Sequence, residues 1–166
     1  MKIGIVGSND RAVAIGRLFQ NGGHEITFGD PSANERARQI AEEFGVESEA
    51  PYRQAMDCDL VVFAVPRREI DRVLMAVGSG ARAVIVDAVE DERGDAYRSG
   101  AEMLARKLDT HRIVRALIGL PQSNCTIPVC GDDAVSKQIV ERAFQACECV
   151  TSDLGPLANA VELEAA

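Results

Sequence analysis

The stretch KIGIVGSNDRA at residues 2–12 decides the fold class. Its first part, Lys2 to Val6, is rich in β-branched apolar residues and lacks polar alternation, which predicts a strand buried on both faces. Gly7 follows this strand directly, and apolar residues at helical spacing begin at Ala12 and continue to Gln20. The stretch therefore predicts a strand, a tight glycine turn and a helix.

Short β-branched runs alternate with amphipathic stretches along the rest of the chain, which is typical of βαβ units. Further strands are predicted at residues 25–29, 59–65, 82–87, 112–117, 126–130 and 149–152. Further helices are predicted at residues 31–44, 67–77, 97–108, 134–147 and 156–164. No repeat or linker divides these elements, so we expect residues 1–166 to form a single domain. Its predicted class is α/β, a Rossmann-type doubly wound, mostly parallel sheet with helices on both faces.

Composition narrows the possible partners and the location. The formal net charge of −8 argues against nucleic acid or an anionic membrane as partner, because both favour a basic surface. The chain has five cysteines at irregular spacing and no export signal or membrane-length apolar run, which predicts reduced thiols in the cytoplasm. The cysteines and histidines lack the spacing of zinc ligands, so we expect no metal site.

The turn after the first strand, Gly7 to Ala12, has the position of a dinucleotide-binding motif. Such motifs carry three small residues, for the tight turn, for backbone approach to the pyrophosphate and for helix packing. Here Asn9 stands in the second place, and its conformation can reach the left-handed region that glycine favours. Ser8, Asp10 and Arg11 complete the candidate phosphate loop, with Arg11 placed over the pyrophosphate or on the surface. A plain strand–turn–helix junction remains the alternative.

Asp30 ends the second predicted strand, where an acidic residue accepts hydrogen bonds from the adenine ribose of NAD. A carboxylate there repels a 2′-phosphate, so NAD is favoured over NADP. Arg36 or Arg38, one turn into the next helix, could reverse that preference by reaching back. The alternative for Asp30 is a helix cap, a role that aspartate often plays.

Two further strand ends lie at the same carboxyl edge of a parallel sheet, where ligands bind in open α/β folds. These are Val65-Pro66 and Asp87-Ala88, the second pair lying beside the expected place of a nicotinamide. Glu90 and Asp91 follow as candidate polar groups or as a solvated acidic loop. The polar loop Gln122 to Asn124 either lines a substrate pocket or makes a turn. No catalytic residue can be named, since no nucleophile–base constellation is evident.

Two regions of the chain, each made of two segments, show a family resemblance. The first region consists of residues 2–7 and 22–30, and the second of residues 127–137 and 153–162. With these segments the chain resembles the NADP oxidoreductase, coenzyme F420-dependent family, which is related to F420-dependent pyrroline-5-carboxylate reductase catalytic domains and the NADPH-binding domain of the STEAP metalloreductases. The resemblance implies an NADP site at the glycine turn. It also implies hydride transfer between the nicotinamide and a flavin, deazaflavin or small substrate.

The sequence of this chain also departs from the pattern of the family it resembles. Family members usually have Ser or Thr followed by Arg after the second strand, and here Asp30-Pro31 stands there. Many have Asn-Pro near the nicotinamide, where this chain has Val89-Glu90. Longer relatives carry additional helices for dimerisation, so we expect a homodimer to complete the pocket. Two hypotheses remain open, an NAD(P)-dependent oxidoreductase and a non-catalytic dinucleotide-binding sensor or regulatory module.

Overall fold

The computed structural model describes residues 1–32, 34–47, 50–89, 99–116 and 124–164. The strands in these residues are β1 (Lys2–Val6), β2 (Glu25–Gly29), β3 (Leu60–Phe63), β4 (Val84–Asp87), β5 (Ile113–Ala116), β6 (Thr126–Cys130) and β7 (Val150–Asp153). The helices are α1 (Asp10–Asn21), α2 (Glu35–Phe44), α3 (Tyr52–Met56), α4 (Ile70–Val77), α5 (Gly100–Lys107), α6 (Ala134–Gln145) and α7 (Ala160–Glu164). No helix in these ranges is long and apolar enough to cross a bilayer.

All seven strands join one sheet in the order β2-β1-β3-β4-β5-β6-β7. Neighbours from β2 to β5 pair in parallel, β6 runs antiparallel to β5, and β7 pairs in parallel with β6. The chain moves outward from β1 to β2 and then returns to the other side of β1 with β3. This reversal is a topological switch point, and ligands of open α/β sheets bind outside the carboxyl ends of the strands there.

Helices cover both faces of the sheet, as predicted. One apolar core joins the Ile3 and Ile5 face of the sheet to α1, α2 and α6. The other joins the Val61 and Phe63 face to α3, α4, α5 and α7. Because β1, β3, β4 and β5 are buried on both faces, they are continuous apolar runs with little alternation.

The structure corrects several predicted boundaries. The helix predicted from residue 31 begins at Glu35, because Asn34 caps it. The helix predicted at residues 67–77 begins as a 3-10 turn, Arg67–Glu69, and becomes α4 at Ile70. The strand predicted at residues 59–65 is shorter at both ends. Sequence periodicity missed α3, since five residues without a side-chain cap are too short to show a helical pattern.

Glycines allow α3 to lie directly on the sheet. A Cβ built on Gly4 would overlap the carbonyl oxygen of Ala55, and one built on Gly29 would lie 3.0 Å from Cα of Tyr52. The backbone of α3 therefore occupies the space that side chains of β1 and β2 would fill. This contact fixes α3 beside the end of β2.

We expect Gly4→Ala to destabilise the fold by roughly 3 kcal/mol, the upper end of the cost of overpacking, because its methyl group meets backbone that cannot rotate away. Urea unfolding monitored by circular dichroism measures this loss. Gly16→Ala in α1 is the matched control. Its methyl group would meet the Phe28 ring, and alanine raises helix propensity by about 1 kcal/mol. An equal loss in both variants would contradict the role assigned to the α3 contact.

Candidate functional site

The carboxyl ends of β1, β2 and β3 meet at Gly7. The Gly7 amide donates to the carbonyl of Gly29 at 3.1 Å, and the Ala64 amide donates to the carbonyl of Val6 at 3.0 Å. Gly7 has φ +120°, and a Cβ there would lie 2.6 Å from the Ala64 carbonyl oxygen. Only glycine fits this conformation and this spacing. The structure thus brings Gly7, Asp30 and Val65 together, as their sequence positions predicted.

Asn9 has a different role from the one its type suggested. Its φ is −70° and its ψ 172°, so it is extended and not left-handed. Its Oδ1 accepts a hydrogen bond from the Ala12 amide at 2.8 Å, which makes Asn9 the N-cap of α1. The amides of Gly7 and Ala12 therefore bond within the protein and do not face a ligand.

The other end of the Asn9 amide is unsatisfied. Among the described residues, Nδ2 of Asn9 is buried and has no hydrogen-bond partner. An unpaired buried donor costs about 1–3 kcal/mol, so such groups usually mark a place where a ligand or water completes the site. Asn9 stands at the N-terminus of a twelve-residue helix, whose dipole favours an anion. A phosphate group is a ligand whose oxygens could accept from this donor at the start of α1.

Asp30 is held at the mouth of the turn. Ser8 Oγ donates a hydrogen bond to Asp30 Oδ2, and the Ser32 amide donates to Oδ1 at 2.9 Å. The helix-cap alternative for Asp30 is wrong, because Asn34 caps α2 through a 2.8 Å bond from the Ala37 amide. The half-buried carboxylate is thus fixed in position beside the phosphate loop.

Arg36 reaches back from α2 to the same loop. Its Nε donates to the Ser8 carbonyl oxygen at 3.4 Å, and its Nη2 lies 2.5 Å from Asp10 Oδ1. The pair is exposed, so it contributes little to stability. Its effect is local, since Arg36 offsets the negative charge that Asp10 places in the first turn of α1. Arg11 is half-buried in the same turn, and Arg38 is exposed on α2.

Tyr52 and Arg72 form a second polar group beside Asp30, which sequence reasoning missed. Arg72 Nη2 donates to the Tyr52 hydroxyl at 3.2 Å and to Glu69 Oε2 at 3.4 Å. Burial raises the pKa of Tyr52, and the nearby charge of Asp30 raises it further. The hydroxyl is therefore neutral and available as a donor. No sequence motif marks this pair, because α3 and α4 bring it together only after folding.

The end of β4 is built around a buried ion pair. Asp87 Oδ2 lies 3.0 Å from Arg115 Nη1, and Asp87 Oδ1 accepts from the Val89 amide at 3.1 Å. Arg115 Nη1 also donates to the Val89 carbonyl at 3.1 Å. Asp87 has no exposed surface, so its carboxylate is committed to holding this strand end, and direct contact with a cofactor stays a prediction. Ala88 and Val89 beside it are also buried.

Other predicted residues are placed less closely. Pro66 is half-buried and begins the 3-10 turn after β3. Asn124 has φ +60°, while Glu90, Asp91, Gln122 and Ser123 lie outside the described residues. A cavity of about 580 Å³ runs along α1 toward Cys147 and shares Asp10 and Arg36 with the phosphate loop. It lies along the outer side of α1 and not at the strand ends, so we do not assign the dinucleotide to it.

Comparisons with known proteins agree with this geometry. The family model "NADP oxidoreductase coenzyme F420-dependent" matches residues 2–91, which include β1 to β4 and the whole phosphate loop. The C-terminal segments that also suggested the family lie outside this match.

Solved structures show the same fold over nearly all of the chain. A proposed F420-dependent NADP reductase of Arthrobacter sp. FB24 is 19% identical, with a TM-score of 0.81 over 99% of this chain and 89% of its own. The protein SMa0349 of Sinorhizobium meliloti is 19% identical, with a TM-score of 0.78 over 95% and 87%. An imine reductase of Streptomyces aurantiacus is 18% identical, with a TM-score of 0.76 over 99% of this chain and 59% of its own.

At these identities the structures establish the fold, and the family model establishes the relationship. The matched range holds the glycine turn, Asp30 and the ends of β3 and β4, where the structure concentrates its polar contacts. This chain therefore belongs to the NADP oxidoreductase, coenzyme F420-dependent family, a group of NAD(P)-binding oxidoreductases with a Rossmann-like fold.

Proposed function

We propose that residues 1–166 form one domain that binds a nicotinamide dinucleotide across the ends of β1, β2 and β3 and transfers hydride to a flavin, a deazaflavin or a small substrate. The observation that carries this proposal is the buried, unsatisfied Asn9 Nδ2, which follows the Gly7 turn at the start of α1. The single sheet supports treating the chain as one binding unit. Family membership supports the reaction class.

The phosphate loop would hold the pyrophosphate. Gly7 makes the tight turn of the motif's first glycine, and Asn9 Nδ2 supplies a donor where the family motif has a second glycine. Arg36 keeps Asp10 from repelling the phosphates, because it pairs with that carboxylate at 2.5 Å. The chain thus offers a phosphate pair a side-chain donor at the start of α1.

Asp30 would bind the adenine ribose and select NAD. Ser8 and the Ser32 amide fix the carboxylate so that it can accept from the ribose hydroxyls. A 2′-phosphate would meet this negative charge at short range. Two cations lie near Asp30 as counter-charges for NADP, the exposed Arg72 on the Tyr52 side and Arg36 on the Ser8 side. Because Arg72 is exposed while Asp30 is fixed in place, we propose that NAD is the better ligand.

When bound, the nicotinamide supplies or accepts the hydride. The chain contributes a dry, rigid wall at the end of β4, where Ala88 and Val89 are buried and the Asp87–Arg115 pair holds the strand end. Water exclusion protects a hydride donor from side reactions.

A non-catalytic dinucleotide module is the second candidate. The apolar Val89 stands near the nicotinamide, where many family members have Asn, so this place lacks a side-chain hydrogen-bond donor. A sensor would need only the phosphate and ribose contacts. The two candidates differ in whether the bound nicotinamide passes its hydride to an acceptor.

The proposed function predicts that the purified protein binds NADH and then oxidises it when free flavin or deazaflavin is added. The chain has no tryptophan, so fluorescence of the nicotinamide can be followed without indole background. Loss of nicotinamide absorbance reports turnover, with a protein-free mixture as control. Binding without oxidation would favour the sensor. If the protein bound neither NADH nor NADPH, both candidate functions would be refuted.

We expect Asp30→Ser to weaken NADH binding and strengthen NADPH binding, changing the ratio of the two Kd values by about tenfold or more, or at least 1.4 kcal/mol. The cause is loss of the ribose acceptor and of the charge that repels a 2′-phosphate. Isothermal titration calorimetry gives both Kd values. Asp57→Ser, at an exposed aspartate after α3, is the control and should leave the ratio unchanged. An unchanged ratio in Asp30→Ser would contradict the role of Asp30.

We expect Asn9→Gly to weaken NADH binding several-fold while costing only a few tenths of a kcal/mol in stability, because glycine is a tolerable N-cap. Asn34→Gly is the matched control. Asn34 caps α2 through the same 2.8 Å bond, but its Nδ2 already donates to Ser32 Oγ at 2.9 Å. Tighter NADH binding by Asn9→Gly would show that Asn9 obstructs the phosphates instead of binding them.

A further inference from the structure

Three of the five cysteines converge at the start of the β6–β7 pair. Cys125 immediately precedes β6, Cys149 immediately precedes β7, and Cys147 ends the turn that follows α6. All three contact the core on the α1 and α6 face of the sheet. They are distant in sequence from the phosphate loop, and the proposed oxidoreductase reaction makes no use of them.

The backbone places Cys125 and Cys149 opposite each other. β6 and β7 pair in parallel with Thr126 opposite Val150, and the Val150 amide donates to the Cys125 carbonyl at 2.9 Å. Register partners on parallel strands direct their side chains to the same face. The two Sγ atoms are accordingly 3.2 Å apart. Adjacent strands have the Cα spacing that a disulfide requires, so the bond can form without moving either strand.

Cys147 is directed away from this pair. Its Sγ donates to the Ala143 carbonyl at 3.3 Å, inside the last turns of α6. Burial raises the pKa of its thiol to about 11, with the neighbouring Cys149 and Cys125 adding to the shift. A thiol with so little thiolate reacts slowly. We therefore expect the Cys147 thiol to react slowly.

We propose that Cys125 and Cys149 are a site of reversible oxidation by small-molecule disulfides, which converts the two thiols into a disulfide joining β6 to β7. Cys125 is half-buried and Cys149 is only 2% exposed, so Cys125 reacts first. Its thiolate attacks one sulfur of the small disulfide, whose S–S bond breaks and releases one small thiol. Cys149 then loses its proton and attacks the Cys125 sulfur, which releases the second small thiol.

The electrons and protons of these two exchange steps balance. Two protein thiols lose two electrons and two protons, and one small disulfide gains them to become two thiols. Cys125 and Cys149 are 24 positions apart in the sequence, and the loop that the product closes contains all of α6. Because α6 packs against both β4 and β5, the bond restrains part of the α1 and α6 face of the sheet.

The test treats the full chain with oxidised glutathione, alkylates the remaining thiols with N-ethylmaleimide, and maps unreduced peptides by mass spectrometry. The expected result is a cross-linked peptide pair joining Cys125 to Cys149, with Cys147 alkylated only after unfolding. The oxidised form should also show a Tm several degrees above the reduced form, since a loop of this size restricts the unfolded chain. A Cys147–Cys149 or Cys125–Cys147 link, or a glutathione adduct on Cys125 that never resolves, would overturn the proposal.

Three variants sharpen the result. Cys125→Ser and Cys149→Ser should each abolish the cross-link and the Tm shift, and Cys125→Ser keeps the test valid if the buried Cys149→Ser fails to fold. Cys58→Ser is the control, because Cys58 is also half-buried but lies on the other face of the sheet. It should retain both effects. Persistence of the oxidation-dependent Tm shift in Cys125→Ser would refute the assignment.

Discussion

A methyl group on Gly7 would lie 2.6 Å from the Ala64 carbonyl oxygen, in a backbone with φ +120°. This close approach of β1 to the end of β3 is possible only without a side chain. Because of this approach, the Gly7 amide reaches the carbonyl of Gly29 and donates a hydrogen bond to it. That bond places Asp30 next to Ser8. Gly4 and Gly29 act in a similar way. Because they lack side chains, α3 packs directly on the sheet and brings Tyr52 to the opposite side of Asp30. The ligand-binding edge thus follows from backbone packing at glycines, and its polar side chains take their positions from that packing.

The local charges show how an acidic chain can present an anion site. Net charge acts over long distances that salt screens, whereas a phosphate in a loop responds to donors within a few ångströms. Asp10 would oppose such a ligand, but Arg36 lies 2.5 Å from its carboxylate. Asp30 is held by Ser8 and the Ser32 amide and is flanked by the neutral Tyr52 hydroxyl. The net charge of −8 therefore does not predict the electrostatic potential at this site. That potential depends on the partner of each acidic group.

The parallel sheet, the glycine turn and the place of Asp30 could be predicted because each depends on local pattern. Strands buried on both faces are apolar runs, and the carboxyl ends of parallel strands must share an edge. Asn9 could not be predicted, because residue type alone does not separate an N-cap from a left-handed turn residue. The partner of Arg115 lies 28 positions away, and only the alignment of β4 with β5 brings it to Asp87. The cysteines looked irregular for the same reason, since the β6–β7 register and not their spacing brings two of them together.

The two ends of the site depart from the family pattern in different ways. On the phosphate side a glycine is replaced by Asn9, whose side chain both caps α1 and leaves a buried donor, so the lost backbone access is matched by a new polar contact. After β4 the Asn-Pro pair of many relatives is replaced by Val89-Glu90, and the amide and carbonyl of Val89 are bonded inward to Asp87 and Arg115. A buried ion pair is costly unless further hydrogen bonds support it, and here the backbone of Val89 supplies one to each partner. The strand end therefore gains rigidity as it loses a side-chain hydrogen-bond donor. Within the described residues the two places thus differ in kind, because the end of β4 is closed by buried, bonded groups while the start of α1 keeps a buried donor without a partner.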